Sequence, residues 1–99
     1  MARKFLLDKK KLKSAASRLR AIAHPKRMEI ISLLETKDEL NVTTIYKTLK
    51  IEQAAASHHL SILRTRGVLT TRREGKQTFY KLRTQTISQI LDCLERCAE

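Results

Sequence analysis

A chain of 99 residues holds the apolar material of one compact core and not of two, so residues 1–99 are read as a single domain. Its 21 Lys and Arg against 10 Asp and Glu give a formal charge of +11, which sets aside an acidic or neutral surface and asks for a polyanionic partner. Two Gly, one Pro and 41% hydrophobic residues argue against a many-turned β sandwich and for a mainly α fold.

The opening run Met1–Leu7 has a basic head, but Asp8-Lys9-Lys10-Lys11 cuts its apolar stretch short of a leader's hydrophobic region. No stretch approaches the roughly 20 apolar residues of a membrane span. The two cysteines, Cys93 and Cys97, lie four apart and form no disulfide framework. A cytoplasmic protein with no membrane partner is expected.

Leu12, Ala15, Ala16, Leu19, Ile22 and Ala23 follow helical spacing and define a first helix with one apolar stripe. His24-Pro25 stops it, because proline disfavours helical geometry in the residue before it and suits the first turn of a new helix. A second helix, Pro25 to Glu35, carries Ile30, Ile31, Leu33 and Leu34 and is expected to be apolar nearly all round and buried. Thr36-Lys37-Asp38 reads as a loop, Leu40-Asn41-Val42 as a short extra strand, and Thr43 as the N-cap of a third helix bearing Ile45, Tyr46 and Leu49. After the tight connection Lys50-Ile51-Glu52, a fourth helix runs from Gln53 to Arg66 with Ala56, Leu60 and Leu63 inward, and Gly67 closes it in left-handed geometry. Two short helices joined by so short a turn have the dimensions of a helix-turn-helix.

Two β-prone runs, Val68 to Arg73 and Lys76 to Leu82, flank Glu74-Gly75 as a hairpin. The last helix, Thr84 to Ala98, starts at a Thr cap and carries the stripe Ile87, Ile90, Leu91, Leu94 and Cys97. The order is ααααββα, a winged helix-turn-helix. The stripes of the first and last helices are too long for so small a protomer to cover, so Leu12, Leu19, Ile87, Ile90, Leu91 and Leu94 are the expected dimerisation residues of a homodimer.

The fourth helix turns Gln53, Ala54, Ser57, His58, Ser61 and Arg64 outward. Small and amide side chains there let a helix approach base edges: Gln53 suits adenine, Ala54 a thymine methyl, and Ser57 or His58 a base or a phosphate. Arg72, Arg73 and Lys76 at the hairpin tip suit phosphate contacts or the neighbouring minor groove. Helix and hairpin would thus divide specificity from affinity. Taken singly, the histidines are equally ordinary surface residues and the arginines a solvated hairpin; their order and short spacing give the pattern its meaning.

Arg20-Ala21-Ile22-Ala23-His24-Pro25-Lys26-Arg27, Ala56 to Arg64 (ASHHLSILR) and Arg73 to Leu82 (REGKQTFYKL) resemble the ArsR/SmtB family of bacterial winged-helix repressors, and the likeness spans most of the chain. The resemblance implies a homodimer joined through its first and last helices, sitting on a promoter until an inducer weakens the complex. It also implies that Gln53, Ser57 and His58 are DNA-reading positions. Where the family's recognition helix has a Ser or Thr pair, this chain has Ala54-Ala55, which thins the polar readout.

The resemblance also says where metal sites would lie. A Cys-Val-Cys pattern at the third helix is replaced by Asn41-Val42-Thr43, and an Asp-x-His opening on the last helix by Thr84-Gln85-Thr86, neither of which offers strong ligands. Cys93 and Cys97, spaced i, i+4, are allowed a soft ion or an intermolecular disulfide, but their place in and beside the apolar stripe reads as packing. His24, at the helix junction, is expected to bond the backbone. His58 and His59, roughly 100 degrees apart on the helix, cannot readily share a metal. With no Ser-His-acid order, carboxylate pair or glycine-rich phosphate loop, no enzyme and no cofactor are expected.

The main expectation is a dimer whose recognition helices enter major grooves about 34 Å apart on a palindromic operator in double-stranded DNA. Two readings compete with it: a nonspecific architectural or RNA-binding protein, and a thiol- or metal-responsive protein working through Cys93 and Cys97.

Overall fold

The structure, a computed structural model, describes residues 8–98; the Met1–Leu7 run discussed above lies outside the described residues. The elements are α1 (Lys9–Ile22), α2 (Pro25–Lys37), β1 (Leu40–Asn41), α3 (Val42–Leu49), α4 (Gln53–Thr65), β2 (Leu69–Glu74), β3 (Gln77–Leu82) and α5 (Gln85–Cys97). The expected winged helix-turn-helix is present, with the short strand before α3 paired into a three-stranded antiparallel sheet of order β1-β3-β2.

Asp8 caps α1 by accepting from the Lys10 N–H at 2.9 Å. At the other end His24 is extended, as the residue before a proline must be, and its Nδ1 accepts from the Lys26 N–H at 3.1 Å to cap α2. His24 therefore bonds the backbone as expected.

The second helix runs two residues past Glu35. Thr36 and Lys37 look like loop residues, yet nothing in them breaks a helix: Thr36 donates its hydroxyl to the Leu33 carbonyl at 2.8 Å, and the chain turns only at Asp38, whose φ is 62°. Nor is this helix buried all round. Ile30, Ile31 and Leu34 are buried and Leu33 is half-buried, while Glu29, Ser32 and Glu35 face solvent.

Asn41, not Thr43, caps α3: its Oδ1 accepts from the Thr44 N–H at 2.9 Å. The extended end of β1 already gives Asn41 the backbone geometry that an N-cap needs, so the helix begins two residues earlier than expected. Lys50 then takes left-handed geometry, and the chain enters α4 three residues later.

The end of α4 is a Schellman motif. Gly67 has φ 80°, its N–H donates to the Arg64 carbonyl at 3.0 Å, and the Val68 N–H reaches the Leu63 carbonyl at 2.8 Å. In the hairpin, Glu74 pairs with Gln77, so the two-residue turn is Gly75-Lys76, one position later than the sequence suggests, with Gly75 at φ 62°. Thr84 stands at the cap of α5 with extended geometry, but its side chain makes no capping hydrogen bond.

One apolar cluster gathers Ile22 from α1, Ile30, Ile31 and Leu34 from α2, Ile45 from α3, Leu60 and Leu63 from α4, Val68 and Leu69, and Ile87 and Leu91 from α5. Each fully buried Ile or Leu contributes about 1.5 to 3 kcal/mol. This cluster seats the inner row of α4 and so fixes which of its faces looks outward.

Candidate nucleic-acid interface

Ala56, Leu60 and Leu63 anchor α4 in the core, and helical periodicity then turns Gln53, Ala54, Ser57, His58, Ser61 and Arg64 to solvent, where all six are exposed. Ala55 is exposed as well, so the outer surface of the helix is low and free of bulk near its start. The turn from α3 is held by the Ile51 N–H bonding the Tyr46 carbonyl at 3.1 Å.

A cleft of about 400 Å³ separates the start of α3 from the hairpin, and Asn41, Thr43, Ser57, Lys76 and Tyr80 line it. It brings a predicted helix residue, Ser57, and a predicted hairpin cation, Lys76, to one place. Asn41 Nδ2 donates to Gln77 Oε1 at 3.0 Å, so the residue that caps α3 also ties the hairpin to it. The sequence reading missed Asn41 and Gln77 in this role. An Asn directly before a helical run was the available signal for the first; a contact 36 residues away left none for the second.

The three hairpin cations do not act alike. Arg73 and Lys76 are exposed and have no ion-pair partner among the described residues. Arg72 is paired instead: its Nη2 meets Glu39 Oε1 at 2.7 Å and its Nη1 meets Glu74 Oε2 at 2.8 Å. Strand alternation explains the split. Arg72 sits opposite Phe79 and Arg73 opposite Thr78, so their side chains leave opposite faces of the sheet. On its face Arg72 lies 4.9 Å from the centre of the Phe79 ring. The hydrogen bond from Arg72 holds the Glu39 carboxyl below its usual range, and the two carboxylates push the guanidinium's own pKa up.

His58 points out, but His59 is half-buried. Its ring centre lies 4.7 Å from that of His24 and 5.7 Å from that of His58, and its Nδ1 accepts from Arg27 Nε at 3.2 Å. Burial, then the charges of His24, Arg27 and His58, lower the His59 pKa, the direction that suits a ring whose Nδ1 accepts a hydrogen bond. Among the described residues, no three His, Cys, Asp or Glu side chains are grouped to hold a metal ion.

The expected dimerisation residues divide into two sets. Leu12 and Leu19 on α1 are 47% and 46% exposed, and Ile90 and Leu94 on α5 are half-buried. Ile87 and Leu91, by contrast, are 5% and 1% exposed and belong to the protomer's own core, so they seat α5 and do not face a partner. Cys93 and Cys97 are both exposed on the single protomer, so they are not part of its own core. The inward row of α5 is Ile87 and Leu91, and the cysteines fall beyond or beside it.

Among the described residues no helix is long and apolar enough to cross a membrane. Comparison with known proteins gives this arrangement a lineage. The family model for "Bacterial regulatory protein, arsR family" matches residues 24–71, the stretch from the cap of α2 into β2. The chain is 33% identical to the transcriptional activator HlyU of Vibrio cholerae over 79% of its own length and 71% of that protein's. It is 34% identical to the transcriptional repressor PagR of Bacillus anthracis over 84% and 83%. The crystal structure of PagR superposes with a TM-score of 0.80, covering 88% of this chain and 99% of that one. On these identities and this shared fold, this chain belongs to the arsR family of bacterial regulatory proteins, which are winged helix-turn-helix transcriptional regulators.

Proposed function

We propose that the chain, as a single cytoplasmic domain, is a homodimeric repressor that binds a palindromic operator in double-stranded DNA. The outward row of α4 enters the major groove, with Gln53, Ala54, Ser57 and His58 against base edges and Ser61 and Arg64 toward the groove wall. Arg73 and Lys76 contact phosphate or reach the adjacent minor groove. Leu12 and Leu19 of α1, with Ile90 and Leu94 of α5, meet the second copy; exposed leucines along one helix face are the surface such an interface removes from water. The protein uses no cofactor and is not an enzyme.

One observation carries this reading: Ser57, from the low, solvent-open row of α4, and the uncompensated hairpin cation Lys76 line the same cleft. Named relatives include both an activator and a repressor; occupying a promoter is enough to repress, so repression is the action we assign. The test is selection of genomic fragments by the purified protein, followed by competition with unrelated duplex and with RNA. A short palindromic consensus that resists competition supports the reading. Equal affinity for every duplex would favour an architectural protein instead.

A further inference from the structure

A second cleft, also of about 400 Å³, runs along a different flank of α4 where the last turn of α1 and the first turn of α2 meet it. Arg20, Arg27 and Arg66 converge on it with the hydroxyls of Ser61 and Thr65, and no carboxylate lines it. Two of these guanidiniums are aimed by neutral acceptors. Arg27 donates to His59 Nδ1 at 3.2 Å and to the Ala21 carbonyl at 3.3 Å, and Arg66 donates to the Ser17 hydroxyl at 2.7 Å. Arg20 has no hydrogen-bond or ion-pair partner among the described residues. Arg27 and Arg66 are therefore oriented, while all three charges stay uncompensated.

The backbone sharpens the imbalance. Arg27 stands in the first turn of α2, the positive end of that helix, where no acidic residue is present. Its neighbour Lys26 is paired with Glu29 at 3.1 Å, and Arg27 is not. Three like charges around one space, one of them against a helix dipole, repel unless an anion joins them. Forked guanidiniums beside two hydroxyl donors match a tetrahedral oxyanion.

We propose that this cleft is a binding site for a phosphate-type oxyanion. Two sources offer that chemistry, a backbone phosphate of bound DNA and a free phosphate or phosphorylated small molecule. Ser61 borders the cleft and also belongs to the outward row of α4, so a duplex lying along that row brings a backbone phosphate to it; this source rests on the function proposed above.

The test begins without DNA. Sodium phosphate is titrated into the folded protein at constant ionic strength, with chloride as the control, and NMR shifts are followed. The expected result is a saturable, phosphate-specific shift centred on Arg20, Arg27, Ser61, Thr65 and Arg66, with a Kd near or below about 1 mM. It weakens about tenfold in Arg20→Gln, a change that removes no bond within the protomer, and the spectrum elsewhere is preserved. Shifts equal in phosphate and chloride, or equally strong at Arg73 and Lys76, overturn the proposal. The source is then read from duplex binding. If DNA supplies the phosphate, Arg20→Gln weakens binding to all duplexes several-fold and free phosphate competes. If a free anion is the ligand, Arg20→Gln leaves duplex affinity unchanged. A protein that takes phosphate in the cleft but binds no duplex sinks the DNA reading and leaves the site standing.

Discussion

Arg72 in the wing and Arg27 at the start of α2 are both held by hydrogen bonds, but their acceptors differ in charge. Arg72 is gripped by the carboxylates of Glu39 and Glu74, while Arg27 is held by a neutral imidazole and a backbone carbonyl. The first arrangement neutralises the cation and uses it to brace β2 against the segment leading into β1. The second fixes the cation's direction and leaves its field available. A count of basic residues treats the two alike, yet under the proposed function the second kind, like the unpaired Arg73 and Lys76, meets a DNA phosphate without first breaking an ion pair.

Breaking the dimer should give the largest effect, because it removes the contribution of both regions from one half-site. Leu19→Asp changes a residue already 46% exposed, so the protomer should fold. Sedimentation is expected to show monomers, and operator affinity to fall about 100-fold or more as the second half-site loses its tether. Next in size is the pair Arg73→Ala and Lys76→Ala. Together they should weaken binding to every sequence by roughly tenfold and lower the salt slope by about 1 for each phosphate contact removed. Arg72→Ala supplies the contrast: its charge is already compensated, so the slope should hardly move while thermal stability drops slightly. A slope change as large as that of Arg73→Ala would show that the carboxylates release Arg72 when DNA arrives.

The smallest effect concerns pH. The His59 pKa is lowered, so the folded protein resists its protonation more than the unfolded chain does. The stability this contributes is present above about pH 6.5 and is lost as pH falls through the lower, folded-state value. Protonated His59 can no longer accept from Arg27. A melting series from pH 7.5 to about pH 5 should show that decline, and it should be reduced in His59→Gln.

The helices were legible because their inner rows repeat at helical spacing and because Pro25 and Gly67 punctuate them with one backbone meaning each. Residues 36 and 37 were misread for the opposite reason: polar character suggests a loop, but only Asp38 turns the chain. The outward face of α4 could be read since the inward one, Ala56, Leu60 and Leu63, was unambiguous. The fate of Arg72 was not legible, because Glu39 lies 33 residues away and strand register decides which hairpin side chains meet it. The place of Cys93 and Cys97 was not legible, because a stripe drawn on an isolated helix is wider than the row that the protomer fully buries, which is Ile87 and Leu91.

The most direct measurement compares Ser57→Ala with the natural chain on the selected operator and on an unrelated duplex of equal length. If the exposed row of α4 reads bases, operator binding loses about 1 to 3 kcal/mol and affinity for the unrelated duplex stays the same, so discrimination shrinks. An equal loss on both duplexes, or no loss on either, would contradict a base-reading role for this surface.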